Sequence, residues 1–301
     1  MNTNNLDLIK DVKKVLKENL SLLNSENIDV HKAKKEAKIL CAFSAAFNIF
    51  HEKDFLIMAS TKKDYFIENF FDHKFGGVYC SLDKDNKRLD TRKRLKEQAL
   101  TISAMCEFDL ATGDEEAVKS VKNTYEIIEK EFSLGKGRYC SVKERNFSKL
   151  DDTEDIKAYL ALTDAFCYLY KITSDTEYGK KACETISMLC DKAGEMSGRV
   201  ADKAVYTLLK DAFIIKDIDL INKVRSTVAV IAKSCTSTKE TTLKEACGLF
   251  LVKVAMWKYL NVEISAEDVI LQWNEIKSKA GSDEKGRLHL IMTCIEFLRL
   301  I

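Results

Sequence analysis

Four of the five residues Asp151-Asp152-Thr153-Glu154-Asp155 are carboxylic acids. On a helix, positions i, i+1 and i+4 can share one face, where carboxylates hold a hard cation or exchange protons with a ligand. At a helix start the same composition has a plainer use, accepting from free N–H groups and offsetting the positive end of the dipole. A metal site would need a second acidic motif. Asn274-Glu275-Ile276-Lys277-Ser278 begins like one, but Ser282 stands where a glutamate is needed, so no metal and no other cofactor is expected. Tyr159 follows Asp155 by four residues and Asp152 by seven, which puts all three on one helix face. Tyr159 with Asp155 is therefore a candidate acid–base pair, and Asp152 a candidate ligand contact. His289, at the start of the last predicted helix, can titrate near neutrality and is a third candidate proton carrier. Tyr79 and Tyr139 occupy equivalent places in two Gly-rich segments; such rings stack on sugars or pack against loop backbone. Arg138, beside Tyr139, suits a carboxylate or phosphate.

The elements that must position these groups are helical. Proline is absent from the 301 residues, and nine of the eleven glycines fall in predicted loops. Apolar residues recur at i, i+3, i+4 and i+7 almost throughout, and predict twelve helices over about 5–24, 31–50, 53–71, 91–112, 114–133, 151–173, 176–193, 200–215, 217–234, 239–261, 265–279 and 285–300. Short-looped pairs of similar length, repeating every 45–60 residues or so, predict an all-α fold: one (α/α)6 barrel of six hairpins spanning residues 1–301. Its inner helices start near 31, 91, 151, 200, 239 and 285, and the first helix packs outside, beside the last.

Charge and cysteine usage bound the function. The 48 basic and 47 acidic residues are well mixed, which excludes the basic stripe of a nucleic-acid binder. The charge runs Lys32 to Lys38 and Asp90 to Glu97 read as solvated helix faces. No apolar run is long enough to span a membrane, and the amino-terminal segment lacks the apolar core of a leader, so a cytoplasmic protein is expected. The ten cysteines form no Cys-x-x-Cys and sit at core spacing. Cys41, Cys106, Cys167, Cys183, Cys190, Phe166 and Trp257 are expected to be buried, with no disulfides.

One stretch carries a family resemblance. It contains Asp72, Gly76-Gly77-Val78-Tyr79, Leu82-Asp83, Lys93, Gln98-Ala99, Glu107-Phe108 and Ala111-Thr112-Gly113-Asp114-Glu115-Glu116 in that order. A weaker copy runs from Gly135-Lys136-Gly137-Arg138-Tyr139-Cys140-Ser141 to Thr173-Ser174-Asp175. The pattern resembles the N-acylglucosamine 2-epimerase superfamily, most closely its cellobiose 2-epimerase branch, over residues 31 to 175. The resemblance implies an (α/α)6 barrel that moves a proton at the carbon next to a sugar carbonyl, with two histidines as acid and base and an arginine on the carbonyl oxygen. It places Lys38 where that arginine stands and Tyr159 and Ala161 where histidines stand, and it displaces His289 by two positions. It brings Lys38, Lys93 and Gln98 to the cavity with Asp152, Asp155, Tyr159 and His289, and hangs Tyr79 and Arg138 over it.

Three readings follow. The chain is an epimerase or isomerase with a rearranged acid–base set, acting on a carbohydrate or related polar metabolite. Alternatively it is a non-catalytic barrel that binds a ligand or protein, or an enzyme of another class using the acids at 151–155. The expected partner is a small sugar-like molecule, bound by a single chain or a homo-oligomer.

Overall fold

The structure is a computed structural model that describes residues 3–23, 29–150, 153–235, 242–280 and 284–301. Among them are twelve α-helices: α1 Thr3–Leu22, α2 Ala33–Phe50, α3 Lys53–Phe70, α4 Leu95–Thr112, α5 Glu115–Ile127, α6 Ile156–Thr173, α7 Thr176–Asp191, α8 Gly198–Ile215, α9 Ile218–Ile231, α10 Leu243–Leu260, α11 Ala266–Lys279 and α12 Glu284–Leu300. Seven short strands join them: β1 Val30–Lys32, β2 Ser81–Asp83, β3 Arg88–Asp90, β4 Lys93–Arg94, β5 Ser133–Gly135, β6 Arg138–Tyr139 and β7 Val142–Lys143.

The chain divides into two compact units, Asn27–Leu189 and Met1–Glu26 with Cys190–Ile301. In the first, α4 packs between α2 and α6, while α3 backs α2 and α5 backs α4. In the second, α10 packs between α8 and α12; α9 backs α8, α11 backs α10 and α1 backs α12. Each unit is thus one row of helices with a second layer behind it. The rows are the helices predicted as inner, and α1 lies beside α12 as expected. The burial explains the order. Eleven of the eighteen residues of α2 and twelve of the eighteen of α4 are buried, whereas α3 buries five, the single stripe of a helix with a solvent face.

Two central helices, α2 and α4, begin later than their periodicity predicts, because strands hold the preceding residues. β1, before α2, pairs antiparallel with β2, which follows α3; β4, before α4, pairs with β7, which follows α5. The first N–H groups of α2 and α4 then donate to the Gly-rich loops, Ala33 to the Cys80 carbonyl and Leu95 to the Ser141 carbonyl, both at 3.0 Å. Each Gly-rich loop is therefore fixed over the start of a central helix. α10 starts at a capping box, in which Thr242 accepts from the Glu245 N–H and Glu245 reaches back to the Thr242 N–H.

Among the residues expected in the core, Cys41, Cys106, Cys167, Cys190 and Phe166 are buried, and all ten cysteines are free. Cys183 is half-buried. Trp257 departs from expectation at 44% exposure. It lies along an apolar groove of about 120 Å³ with Leu8, Ile9, Val254 and Phe297. The indole that fills the core of this unit is Trp273, whose Nε1 donates to Asp11 at 2.8 Å.

Candidate functional site

The Gly-Gly turn exists to let backbone meet side chain. Gly76 and Gly77 both have left-handed φ, at 82° and 66°. A Cβ on Gly77 would stand 2.8 Å from the Gln98 side-chain oxygen. That oxygen accepts from the Val78 N–H at 2.8 Å, and the Gln98 amide donates to the Val78 carbonyl at 3.0 Å. Gln98 is fully buried, so its amide is spent on holding the loop.

Tyr159 does the same one repeat later. Its hydroxyl accepts from the Tyr139 N–H at 2.7 Å and donates to the Tyr139 carbonyl at 3.3 Å, and its ring is wholly buried. Burial, opposed by the Tyr139 backbone, pushes the phenol up to about 12. The face of α6 expected to present Tyr159 to a ligand instead presents it to the Gly-rich loop. Phe in its place leaves the Tyr139 N–H buried without an acceptor. A loss of about 1–3 kcal/mol is expected, measurable by urea unfolding.

Beneath the first loop lies a buried ionic cluster. Asp72 and Lys93 are 2% and 0% exposed. Lys93 Nζ stands 3.1 Å from Asp72 Oδ2, an ion pair whose angle falls outside hydrogen-bond geometry. Arg145 clamps the same carboxylate through Nε at 2.9 Å and a terminal nitrogen at 3.2 Å, and donates to the Tyr79 hydroxyl at 3.0 Å. The Lys93 ammonium also lies 4.5 Å from the centre of the Tyr79 ring. Burial alone would raise the Asp72 carboxyl, but Arg145 and Lys93 outweigh it and hold it well below the usual range. Burial pulls Lys93 down to about 8 against the opposing pull of Asp72. Tyr79 and Lys93, expected at the cavity, are thus structural parts of the loop anchor.

The remaining candidates stand as follows in their own elements. Asp155 caps α6, accepting from the Lys157 N–H at 2.8 Å. Asp152 lies outside the described residues. Arg138 is ion-paired with Glu154 at 2.7 Å. His289 is half-buried on α12, in the other unit. Among the described residues no group of three or more His, Cys, Asp or Glu side chains is placed to hold a metal.

What the first unit does assemble is a charged rim at the starts of α2, α4 and α6. Lys34, Lys96 and Lys157 are each the second residue of their helix. A cation there opposes the helix dipole, at about 0.3–1 kcal/mol each, and three in adjacent helices also repel one another. Burial lowers the Lys96 ammonium, Lys34 and Lys157 push the same way, and Asp155 and Glu97 oppose them. Glu97, one residue on, is 7% exposed, and its Oε2 has no hydrogen-bond partner. Burial raises its carboxyl, with Lys34, Arg94 and Lys96 opposing, so it faces the same rim. Lys38, half-buried, follows Lys34 by one helical turn. Lys96 and Glu97 lie in a run read as solvated from sequence. The signal that could have found them is the lysine recurring about every sixty residues, just inside α2, α4 and α6.

Comparison with known proteins agrees with this fold. A cellobiose 2-epimerase of Bacteroides fragilis is 28% identical over 167 residues, which are 52% of this chain and 43% of that protein. The chain therefore aligns to less than half the length of this relative. A sugar epimerase from a ruminal bacterium superposes with a TM-score of 0.84 at 17% identity, over 97% of this chain and 99% of that one. The cellobiose 2-epimerase of Spirochaeta thermophila superposes with a TM-score of 0.77 at 14% identity, over 91% and 87%. The fold is an (α/α)6 barrel. The family model for N-acylglucosamine 2-epimerase (GlcNAc 2-epimerase) matches residues 26–204, more than half the chain and all of the Gly-rich repeats, and with that match the chain belongs to the N-acylglucosamine 2-epimerase family.

Proposed function

We propose that the chain is a sugar epimerase- or isomerase-like enzyme whose acid–base chemistry is carried by the first turn of α4. The observation that carries this reading is Glu97: a buried carboxyl with an unpartnered oxygen, raised by burial, next in sequence to a lysine that burial lowers. Proton transfer beside a carbonyl needs a base poised near the working pH and a cation at the oxygen that becomes negative. Glu97 Oε2 takes the proton from the carbon next to the carbonyl, and the C–H electron pair moves into the enediolate. The Lys96 ammonium, with Lys38 a turn from Lys34, steadies the developing charge. Returning the proton to the other face of the same carbon gives the epimer; returning it to the former carbonyl carbon, while the hydroxyl proton of the deprotonated carbon passes to the former carbonyl oxygen, gives the isomer. The family and its sugar-epimerase relatives support the reaction class.

The test is turnover of aldohexoses, ketohexoses and their 6-phosphates, followed by chromatographic separation of epimers and ketoses. New epimer or ketose from any of them supports the reading; none from the whole set removes it. Cellobiose and N-acylglucosamine are expected to stay unchanged at ordinary enzyme rates. Tyr159 and Ala161 stand where the family resemblance places histidines, and the Tyr159 hydroxyl is committed to Tyr139. That commitment also favours a second reading, a barrel that binds a sugar-like ligand without converting it.

A further inference from the structure

The same rim bears on the class of ligand, and the inference rests on the reading of that rim as the reacting site. We infer that it takes a hydroxylated anion, a phosphorylated or carboxylated sugar, in preference to a neutral sugar. Three features carry this. The first is the repeated lysine: Lys34, Lys96 and Lys157 occupy the second position of α2, α4 and α6, of which α4 packs between the other two, and each opposes the helix dipole. Like charges gathered where the backbone already presents partial positive charge are suited to an anion. The second is the capping. Neither Lys32 nor Arg94, which precede α2 and α4, makes a side-chain cap. Beyond the first N–H, which the Gly-rich loop takes, the rim side of these helices carries no side-chain acceptor from the cap position. The third is a buried side chain rather than a backbone charge. Glu97 Oε2 is buried, without a hydrogen-bond partner, and has Lys34, Arg94 and Lys96 as its nearest cationic influences. A carboxylate oxygen without a donor there is matched by a hydroxyl. Lysines for an anion and a carboxylate for a hydroxyl, side by side, match one molecule that carries both.

The test measures melting temperature by differential scanning fluorimetry at fixed ionic strength. The probes are glucose 6-phosphate, mannose 6-phosphate, fructose 6-phosphate, gluconate and glucuronate, with glucose and sodium phosphate as controls. At least one anionic sugar is expected to raise the melting temperature by several degrees, well beyond glucose or phosphate alone. The phosphate and carboxylate members tell the two anion sources apart. The rise should shrink with added NaCl. It should vanish in the double variant Lys34→Gln/Lys157→Gln, whose exposed positions leave the fold intact. No rise with any anionic sugar, an equal rise with glucose or with sodium phosphate, or an undiminished rise in the double variant overturns the inference. Turnover of neutral sugars with no anionic preference also overturns it while leaving the proposed reaction standing. Binding of an anionic sugar without turnover supports it while removing the reaction.

Discussion

Replacing Asp72 by Asn is expected to cost about 3–5 kcal/mol of folding stability, the range for breaking a buried ion pair from one side. The Asn keeps an oxygen for the turn, where the Lys74 N–H donates to Asp72 Oδ1 at 3.1 Å. What it removes is the only ion-pair partner of Lys93 among the described residues, and Lys93 is wholly buried. Arg145 is partly exposed and can turn to water; Lys93 cannot. The effect has a pH signature. Folded Lys93 holds its proton less tightly, to about 8, than the ordinary 10.5 of an unfolded lysine. Between those values the unfolded chain carries the extra proton, so this group makes stability rise with pH across the window. Asp72 acts at the other end: its depressed carboxyl contributes stability that is present above the ordinary carboxylate range and lost as pH falls. Urea unfolding of the Asp72→Asn variant should therefore show its deficit shrinking from pH 7 to pH 10. In Lys93→Met the wild-type rise between pH 8 and 10.5 should disappear. A deficit that is constant with pH would show that Lys93 is not the group left exposed to the loss.

Glu97→Gln should lower turnover by about 10²–10⁴-fold, the range for removing a general acid–base group. Gln is isosteric and can keep the hydroxyl contact, so KM should move far less than kcat. A drop in kcat with KM nearly constant separates a proton carrier from a residue that merely positions the substrate. If KM rises and kcat holds, Glu97 binds and something else transfers the proton.

The helical rows were legible because their signal is local. Apolar spacing marks each helix, Gly-Gly marks the loop, and the repeat of both marks the hairpin. The start of α4 was less legible, since Lys93-Arg94 becomes a strand only by pairing with Val142-Lys143, about fifty residues away. The candidate site was read partly wrong in its surroundings for a similar reason. The spacing of Asp152, Asp155 and Tyr159 sets a common face but not what that face meets. Here Tyr159 meets Tyr139, twenty residues earlier, just as Gln98 meets Val78. Glu97 sits in the run Asp90 to Glu97, whose mixed charge resembles a solvated surface. Glu97 is nonetheless 7% exposed, and no pattern within the run reports that. Trp257 fits an apolar helical spacing and yet lines an open groove, because periodicity identifies an apolar face without identifying its cover.

The central claim, proton transfer at a sugar carbon by Glu97, is tested most directly by exchange with solvent. The protein is incubated in D2O with the hexoses and hexose 6-phosphates, and deuterium at the carbon next to the carbonyl is followed by proton NMR. Exchange reports the proton-transfer step even where the equilibrium hides net conversion. Incorporation into at least one sugar by the wild type is expected, with a loss of about 10²–10⁴-fold in its rate with Glu97→Gln. Absence of incorporation into every sugar, or the same rate in both proteins, would contradict the claim.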